Sequence, residues 1–292
     1  MSAPPARAVL PGGRRRHFQH GPIDLVLEAF GARRETEAAY GQAWARFETI
    51  LEELATELPA LRAPFDDTAP ALLGPVARAM GQACAPHRAS FVTPMAAVAG
   101  AVADATLAAM TEGRKLEKAY VNNGGDIALY LTPGAALTSG LVTLGARPSF
   151  DGFTRIAATS PVRGIATSGW RGRSFSLGIA DSVTVLARTA AEADVAATLI
   201  ANAVDLDDPA VRRAPANELA PDSDLGARAV TVAVGPLPSE KIDAALARGL
   251  GRARVMARRG LIVDACLALQ GETRVLGRVL GRVLGGLVVS AA

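Results

Sequence analysis

Apolar residues recur at helical spacing between positions 35 and 58, where Ala39, Trp44, Phe47, Ile50, Leu51 and Leu54 share a face. Pro59 and Pro64 mark the end of that helix. Ahead of it, Ile23-Asp24-Leu25-Val26-Leu27 predicts a strand. A second helical stretch covers about 72–84 and stops before Pro86. Thr93-Pro94 offers an N-cap hydroxyl followed by a proline suited to the first helical turn. The helix it opens, Met95 to Met110, consists almost wholly of Ala, Val and Gly. Residues 119–131 read as strand, tight turn, strand. Short strand-like runs follow at 141–144, 153–158, 163–166, 174–177 and 182–187, separated by Gly, Pro and Ser. Then come an Ala-rich helix over about 190–204, an Asp/Pro-rich loop over 205–226, a strand at 229–234, and helices near 239–249 and 252–269. The pattern predicts an α+β fold: mixed or antiparallel sheets with the two Ala-rich helices packed on them. It divides the chain into a flexible arm (1–16), a single domain (17–271) and a C-terminal appendage (272–292).

Composition refines this picture in two places. Half of the 292 residues are apolar but only 4% are aromatic. A core of that kind rests on small side chains and close backbone contacts. The net charge of +3 is nearly neutral for this length, which argues little for a nucleic-acid partner. Lys occurs only at 115, 118 and 241, so 28 of the 31 cations are Arg, a bias that reflects composition more than a binding surface. Cys84 and Cys266 stand far apart, without the spacing of a disulfide framework or a zinc knuckle. Cys84 is expected to be a buried thiol at a helix end, and a metal pair with His87 is the less favoured reading. With no hydrophobic leader segment and no charge-free apolar run of about 18 residues, the expected location is cytoplasmic. The tail repeats Val-Leu-Gly-Arg at period four, with Arg274, Arg278 and Arg282 on one helical face. Its glycines favour a loosely ordered segment over a basic membrane-surface helix.

Four places carry groups that chemistry could use. Asn122-Asn123-Gly124-Gly125-Asp126 lies between two strand-like runs. It reads equally as a hairpin turn and as a loop where backbone amides approach a phosphate or heterocycle. Thr167-Ser168-Gly169 closes a strand and forms either a polar lip or a plain turn. It lacks the G-x-S-x-G elbow of serine hydrolases, and no histidine follows it. Asp194 and Thr198 sit at i and i+4 of the second Ala-rich helix, so a carboxylate and a hydroxyl share one face. Two such oxygens suit Mg²⁺, although a solvated or capping Asp is the commoner use. Asp104 sits similarly in the first Ala-rich helix.

Taken in order, these segments resemble the ApbE-like family, whose best known members are FAD:protein FMN transferases. Ala99-Gly100-Ala101-Val102-Ala103-Asp104 corresponds to the family's first helix motif and Asn122 to Ile127 to its Asn-x-Gly-Gly-Asp-Ile turn. Thr167-Ser168-Gly169 corresponds to its strand end, and Asp194 with Thr198 to its second helix motif. Three segments (His20 to Leu25, Thr93 to Gly100 and Val121 to Ile127) resemble an uncharacterised ApbE-related branch more closely than the transferases proper. That resemblance runs from about His17 to Gly271. It implies a flavin nucleotide, FAD or FMN, held with Mg²⁺. The implied cofactor-binding residues are Thr93, Met95, Asp104, Asn122, Asn123, Gly124, Gly125, Asp126, Thr167, Ser168 and Gly169. Asp194 and Thr198 are the implied metal ligands. The implied reaction is transfer of FMN to a protein hydroxyl. The implied partners are the nucleotide, a protein acceptor and a second copy of the chain, with neither nucleic acid nor a membrane span.

Two departures from the transferases bear on activity. Ala99 precedes Gly100 where the transferases have Lys. Arg173 to Asp181 occupies the place of a His-Ile-x-Asp-Pro segment, so no histidine is available there as acid or base. Loss of such a group typically costs ~10²–10⁴ in rate. The alternative expectation is therefore an accessory protein of anaerobic or sulfur metabolism that reuses the pocket for another metabolite without flavinylating.

Overall fold

The computed structural model describes residues 3–143, 149–277, 282–284 and 287–289. In chain order the elements are β1 (Ala6–Val9), β2 (Arg16–His20), β3 (Ile23–Gly31), α1 (Arg33–Thr56), α2 (Leu58–Arg62) and α3 (Pro75–Cys84). Next come α4 (Val98–Thr111), β4 (Leu116–Asn123), β5 (Asp126–Leu131), β6 (Ala136–Thr143), β7 (Ser149–Ala157), β8 (Gly164–Ser168), β9 (Ser182–Ala187) and α5 (Ala190–Ala203). The last are β10 (Val211–Pro215), α6 (Ala216–Leu219), β11 (Ala229–Val234), α7 (Ser239–Arg258), β12 (Asp264–Leu269), β13 (Glu272–Val275), β14 (Arg282–Leu284) and β15 (Leu287–Val289). Short 3₁₀ turns at Ala85–His87 and Pro94–Ala97 precede α4. The fold is α+β.

The chain forms two compact units. The first comprises Met1–Leu137, Ala157–Ala166 and Ala187–Val195. Its strands pair antiparallel in the order β1-β2-β3-β4-β5, and the start of β8 adds through Ile127↔Ile165 and Ala128↔Gly164. Alternation along β3 buries Ile23, Leu25, Leu27 and Ala29. Helix α1 lays Ala39, Tyr40, Ala43, Phe47, Ile50 and Leu54 inward at the 3–4 spacing that makes one face. The few aromatics gather here: Phe18 meets Trp44 edge-on at 5.0 Å and Phe47 at 5.5 Å.

Helix α4 carries almost no bulk. A Cβ at Gly100 would stand 2.3 Å from the Ala190 carbonyl oxygen, and one at Gly164 would stand 2.0 Å from that of Thr189. Backbone therefore lies directly on backbone around the start of α5. The stretch Pro94–Thr111 is long and apolar enough to cross a membrane by composition, with a mean hydropathy of 1.3 over its 18 residues. Half of it is buried in the protein, and it carries Asp104.

The second unit comprises Thr138–Ile156, Thr167–Leu186 and Ala196–Ala292. Here β9, β12 and β13 pair antiparallel, as do β10 with β11 and β14 with β15. Every residue of β9 is buried.

Several expectations are corrected. Residues 6–9 of the expected arm form β1, and residues 272–275 of the expected appendage form β13. Pro59 opens the short helix α2, occupying its first turn where a missing N–H costs nothing. Thr93 makes no side-chain cap, because Pro94–Ala97 is a 3₁₀ turn that delays α4. The run 174–177 is not a strand; Ser176 and Leu177 instead bond the Asn202 side chain. The expected loop 205–226 contains β10 and α6. Two helices expected over 239–269 are one helix, α7, followed by strand β12. Gly249 reads as a helix breaker, yet a Cβ there would meet Val204 Cγ2 at 2.2 Å, so the glycine serves packing. Of the period-four tail, 278–281 and 285–286 lie outside the described residues.

Candidate functional site

The hairpin between β4 and β5 turns at Gly124 and Gly125, whose φ angles of 64° and 117° exclude most side chains. Asn122 Oδ1 accepts the Gly125 amide at 2.8 Å and so braces the turn from within. Asn123, opposite Asp126 in the ladder, donates from Nδ2 to the Ala99 carbonyl at 3.1 Å. This bond ties the turn to the residues that open α4. Asp126 is buried. The hairpin reading holds, and Asn123 fastens the turn to the start of α4.

Asp194 of α5 reaches the same helix end. Its Oδ2 accepts the Gly100 amide at 3.0 Å, and the Ala99 amide also donates to it. Asp194 as a residue is half-buried. Burial raises its pKa well above the ordinary carboxylate range, and the negative charge of Asp126 raises it further. The two amides pull in the opposite direction but do not prevail. Cys84 lies nearby: its Sγ bonds the Thr93 carbonyl at 3.5 Å. Burial first and the charge of Asp194 second push its thiol up to about 12. Cys84 is thus a buried thiol ending α3, as its sequence position suggests. Among the described residues no three His, Cys, Asp or Glu cluster as a metal centre.

Asp104, for which the resemblance implies a cofactor-binding role, reaches the start of α5. Its Oδ1 accepts the Ala190 amide at 3.0 Å and its Oδ2 the Ala191 amide at 2.9 Å. Both oxygens are engaged with the first turn of α5. Burial raises its pKa to about 6 against the pull of those two amides. Helices α4 and α5 therefore exchange carboxylates, each capping the start of the other. Sequence reasoning picked out both aspartates but not this exchange. Its only sequence signal is an acidic residue four to six positions inside each Ala/Gly-rich helix.

Of the other residues singled out from the sequence, Thr93 is buried and Met95 half-buried in the 3₁₀ turn ahead of α4, and Gly124 is exposed. Thr167, Ser168, Gly169 and Thr198 belong to the second unit. There Thr167 Oγ1 lies 2.8 Å from Thr184 Oγ1. A Cβ at Gly169 would stand 2.5 Å from the Asp181 carbonyl oxygen, so this glycine is required for packing. Asp181, which the sequence reading did not single out, is a buried hub. It accepts from Arg171 Nε at 2.7 Å, Trp170 Nε1 at 3.3 Å and the Gln270 amide at 2.6 Å. The last bond holds Gln270 at a φ of 47°.

A family model described as "AbpE bacteria" matches residues 7–275, nearly the whole chain. The chain belongs to that family. Among curated proteins it is similar to a "UPF0280 protein" of Methanothrix thermoacetophila, 37% identical over 166 residues, which are 54% of this chain and 65% of the relative. A "UPF0280 protein" of Methanobrevibacter smithii is 40% identical over 113 residues, 38% of this chain and 46% of the relative. One of Methanopyrus kandleri is 41% identical over 143 residues, 48% of this chain and 54% of the relative. The chain thus spans about half to two thirds of the length of these relatives. Among solved structures, the crystal structure of Pseudomonas stutzeri flavinyl transferase ApbE, apo form, is similar over 94% of each chain, at 12% identity and a TM-score of 0.45.

Proposed function

We propose that this protein binds a flavin nucleotide, FAD or FMN, together with Mg²⁺, and that its reaction is transfer of FMN to a protein acceptor. The observation that carries the reading is the carboxylate of Asp194 on the amides that open α4, close enough to Asp126 for the two charges to oppose each other. Two carboxylates so placed disfavour each other's charge, and a cation or a proton relieves them. The donors on offer are all oxygen, which suits a hard cation. Asp194, and Thr198 one helical turn further along α5, would hold it, with water, carbonyls and ligand phosphates completing the shell. Bound there, Mg²⁺ supplies charge neutralisation for a pyrophosphate. Gly124 and Gly125 leave the turn's backbone open to a phosphate or heterocycle, and Asn122 and Asn123 hold its shape. Met95, Thr167, Ser168 and Gly169 are assigned to the nucleotide on the family resemblance alone. Family membership supports the flavin reading as well.

Calorimetric titration of FAD into the protein tests the proposal. Saturable binding that requires Mg²⁺ is expected, with loss of binding in Asp194→Asn. No binding at millimolar FAD overturns it.

A second reading, a non-flavinylating accessory protein that uses the pocket for another metabolite, is favoured by one specific observation. In the segment that replaces the transferases' histidine motif, the carboxylate of Asp181 is committed to Arg171, Trp170 and Gln270. Mg²⁺-dependent release of AMP from FAD onto a Thr-containing acceptor peptide decides between the two. Release rules out the accessory reading, and FAD binding without release rules out transfer.

A further inference from the structure

The structure assigns Asp104 the part of a positioning residue: by holding the first turn of α5 it sets where Asp194 stands. This inference rests on the cation role proposed above for Asp194.

The geometry begins with the amides that open α5. Ala190 and Ala191 donate to the two oxygens of Asp104, at 3.0 and 2.9 Å. The next two are satisfied locally, Glu192 by Thr189 Oγ1 at 3.1 Å and Ala193 by the Thr189 carbonyl at 3.1 Å. No amide of that first turn remains for a bound anion, and each oxygen of Asp104 holds one of its amides. Its contribution is therefore made through α5. Asp194 lies three and four residues beyond Ala191 and Ala190, one turn along the same helix. A helix turn is stiff, so displacing the start of α5 displaces Asp194 with it.

The other half of the exchange closes the loop. Asp194 Oδ2 takes the Gly100 amide at 3.0 Å, and Asp104 follows Gly100 by one turn of α4. Two carboxylates and four amides thus lock the helices at both ends of their contact. Between the ends, backbone lies on backbone, since a Cβ at Gly100 would be 2.3 Å from the Ala190 carbonyl oxygen.

Two variants separate position from charge. Asp104→Ala removes both acceptors, whereas Asp104→Asn removes the charge and keeps one oxygen for one of the two amides. Amide hydrogen exchange by NMR and calorimetric titration of Mg²⁺ alone are the readouts. In Asp104→Ala, exchange at Ala99 and Gly100, which do not touch the mutated side chain, is expected to accelerate about tenfold or more, while Leu25 and Leu27 of β3 keep their protection. Mg²⁺ affinity is expected to fall about tenfold or more. Asp104→Asn, which keeps one of the two bonds, falls between Asp104→Ala and the parent in both. Should Asp104→Ala fail to fold, Asp104→Ser, with one shorter acceptor, takes its place and gives an intermediate effect.

Faster exchange at Ala190 and Ala191 alone reduces Asp104 to a local cap and overturns the inference. Equal loss of Mg²⁺ affinity in the Asn and Ala variants also overturns it, because charge and not position is then what matters. If the parent protein takes up no Mg²⁺, the functional reading fails, and the exchange at Ala99 and Gly100 still decides the positioning.

Discussion

Gly100 leaves no room for even a single methyl group. A Cβ there meets the Ala190 carbonyl carbon at 2.4 Å and its oxygen at 2.3 Å, both backbone atoms that cannot swing aside. Gly100→Ala is expected to destabilise the protein by about 1–3 kcal/mol or more, read by urea unfolding, and to lower Mg²⁺ affinity with it. Asp194→Asn should behave in the opposite way. The amide oxygen still accepts from Gly100 while the repulsion with Asp126 disappears. Stability at pH 7 is therefore expected to hold or rise by up to about 1 kcal/mol even as Mg²⁺ binding is lost. The two cysteines differ just as plainly. Cys84 is buried with its thiol pushed up to about 12, whereas Cys266 is half-buried. Iodoacetamide at pH 8 is expected to label Cys266 in the native protein and to reach Cys84 only after unfolding, as peptide mass mapping would show.

At the scale of elements, the pairing of α4 with α5 makes stability depend on pH in a defined sense. Burial raises the folded-state pKa of Asp104 from 3.8 to about 6, so the folded protein holds that proton more tightly than the unfolded chain does. The corresponding stability is present in full below about 3.8, falls as pH rises towards 6, and is flat above. Asp104→Asn mimics the protonated form at every pH. Its stability relative to the parent is expected to grow by roughly 1–3 kcal/mol between pH 4 and pH 6.5, measured by urea unfolding across that range. The β4–β5 hairpin is the other informative element. A Gly-Gly turn between apolar runs signals a hairpin from sequence alone, and both positive φ angles bear that out. That the same turn is bonded to Ala99 through Asn123 is visible only in three dimensions.

For the whole molecule, periodicity located α1, α3, α4 and α5 to within a few residues because each has one apolar face or an Ala-rich run. It failed where burial is two-sided. Asp264 to Leu269 is buried at five of six positions, and a continuous apolar run reads equally as helix or strand. It failed also where a side chain replaces a ladder, as Asn202 does for Ser176 and Leu177. For the candidate site, the residue types were legible and the partners were not. Asp104 and Asp194 were both picked out, yet their partners lie 86 to 94 positions away, and no local pattern encodes such a bond. The scarcity of aromatics gains a physical meaning in the first unit: Ala and Gly concentrate where helices meet backbone to backbone. The excess of Arg over Lys finds no explanation in the structure.

The exchange of carboxylates between α4 and α5 also bears on how the chain reaches its native state. Contacts spanning nearly ninety residues close a large loop, and such contacts form late because their entropic cost precedes their reward. The first hairpins and α1 can assemble from neighbours, whereas the clasp waits for everything between positions 111 and 189. Removing it should therefore leave the refolding rate almost untouched and hasten unfolding, by about tenfold for each kcal/mol and a half lost. Stopped-flow chevrons of the parent and Asp104→Ala would show parallel folding limbs and displaced unfolding limbs. In that sense the two aspartates act as a latch on the finished protein, and its working lifetime depends on them more than its assembly does.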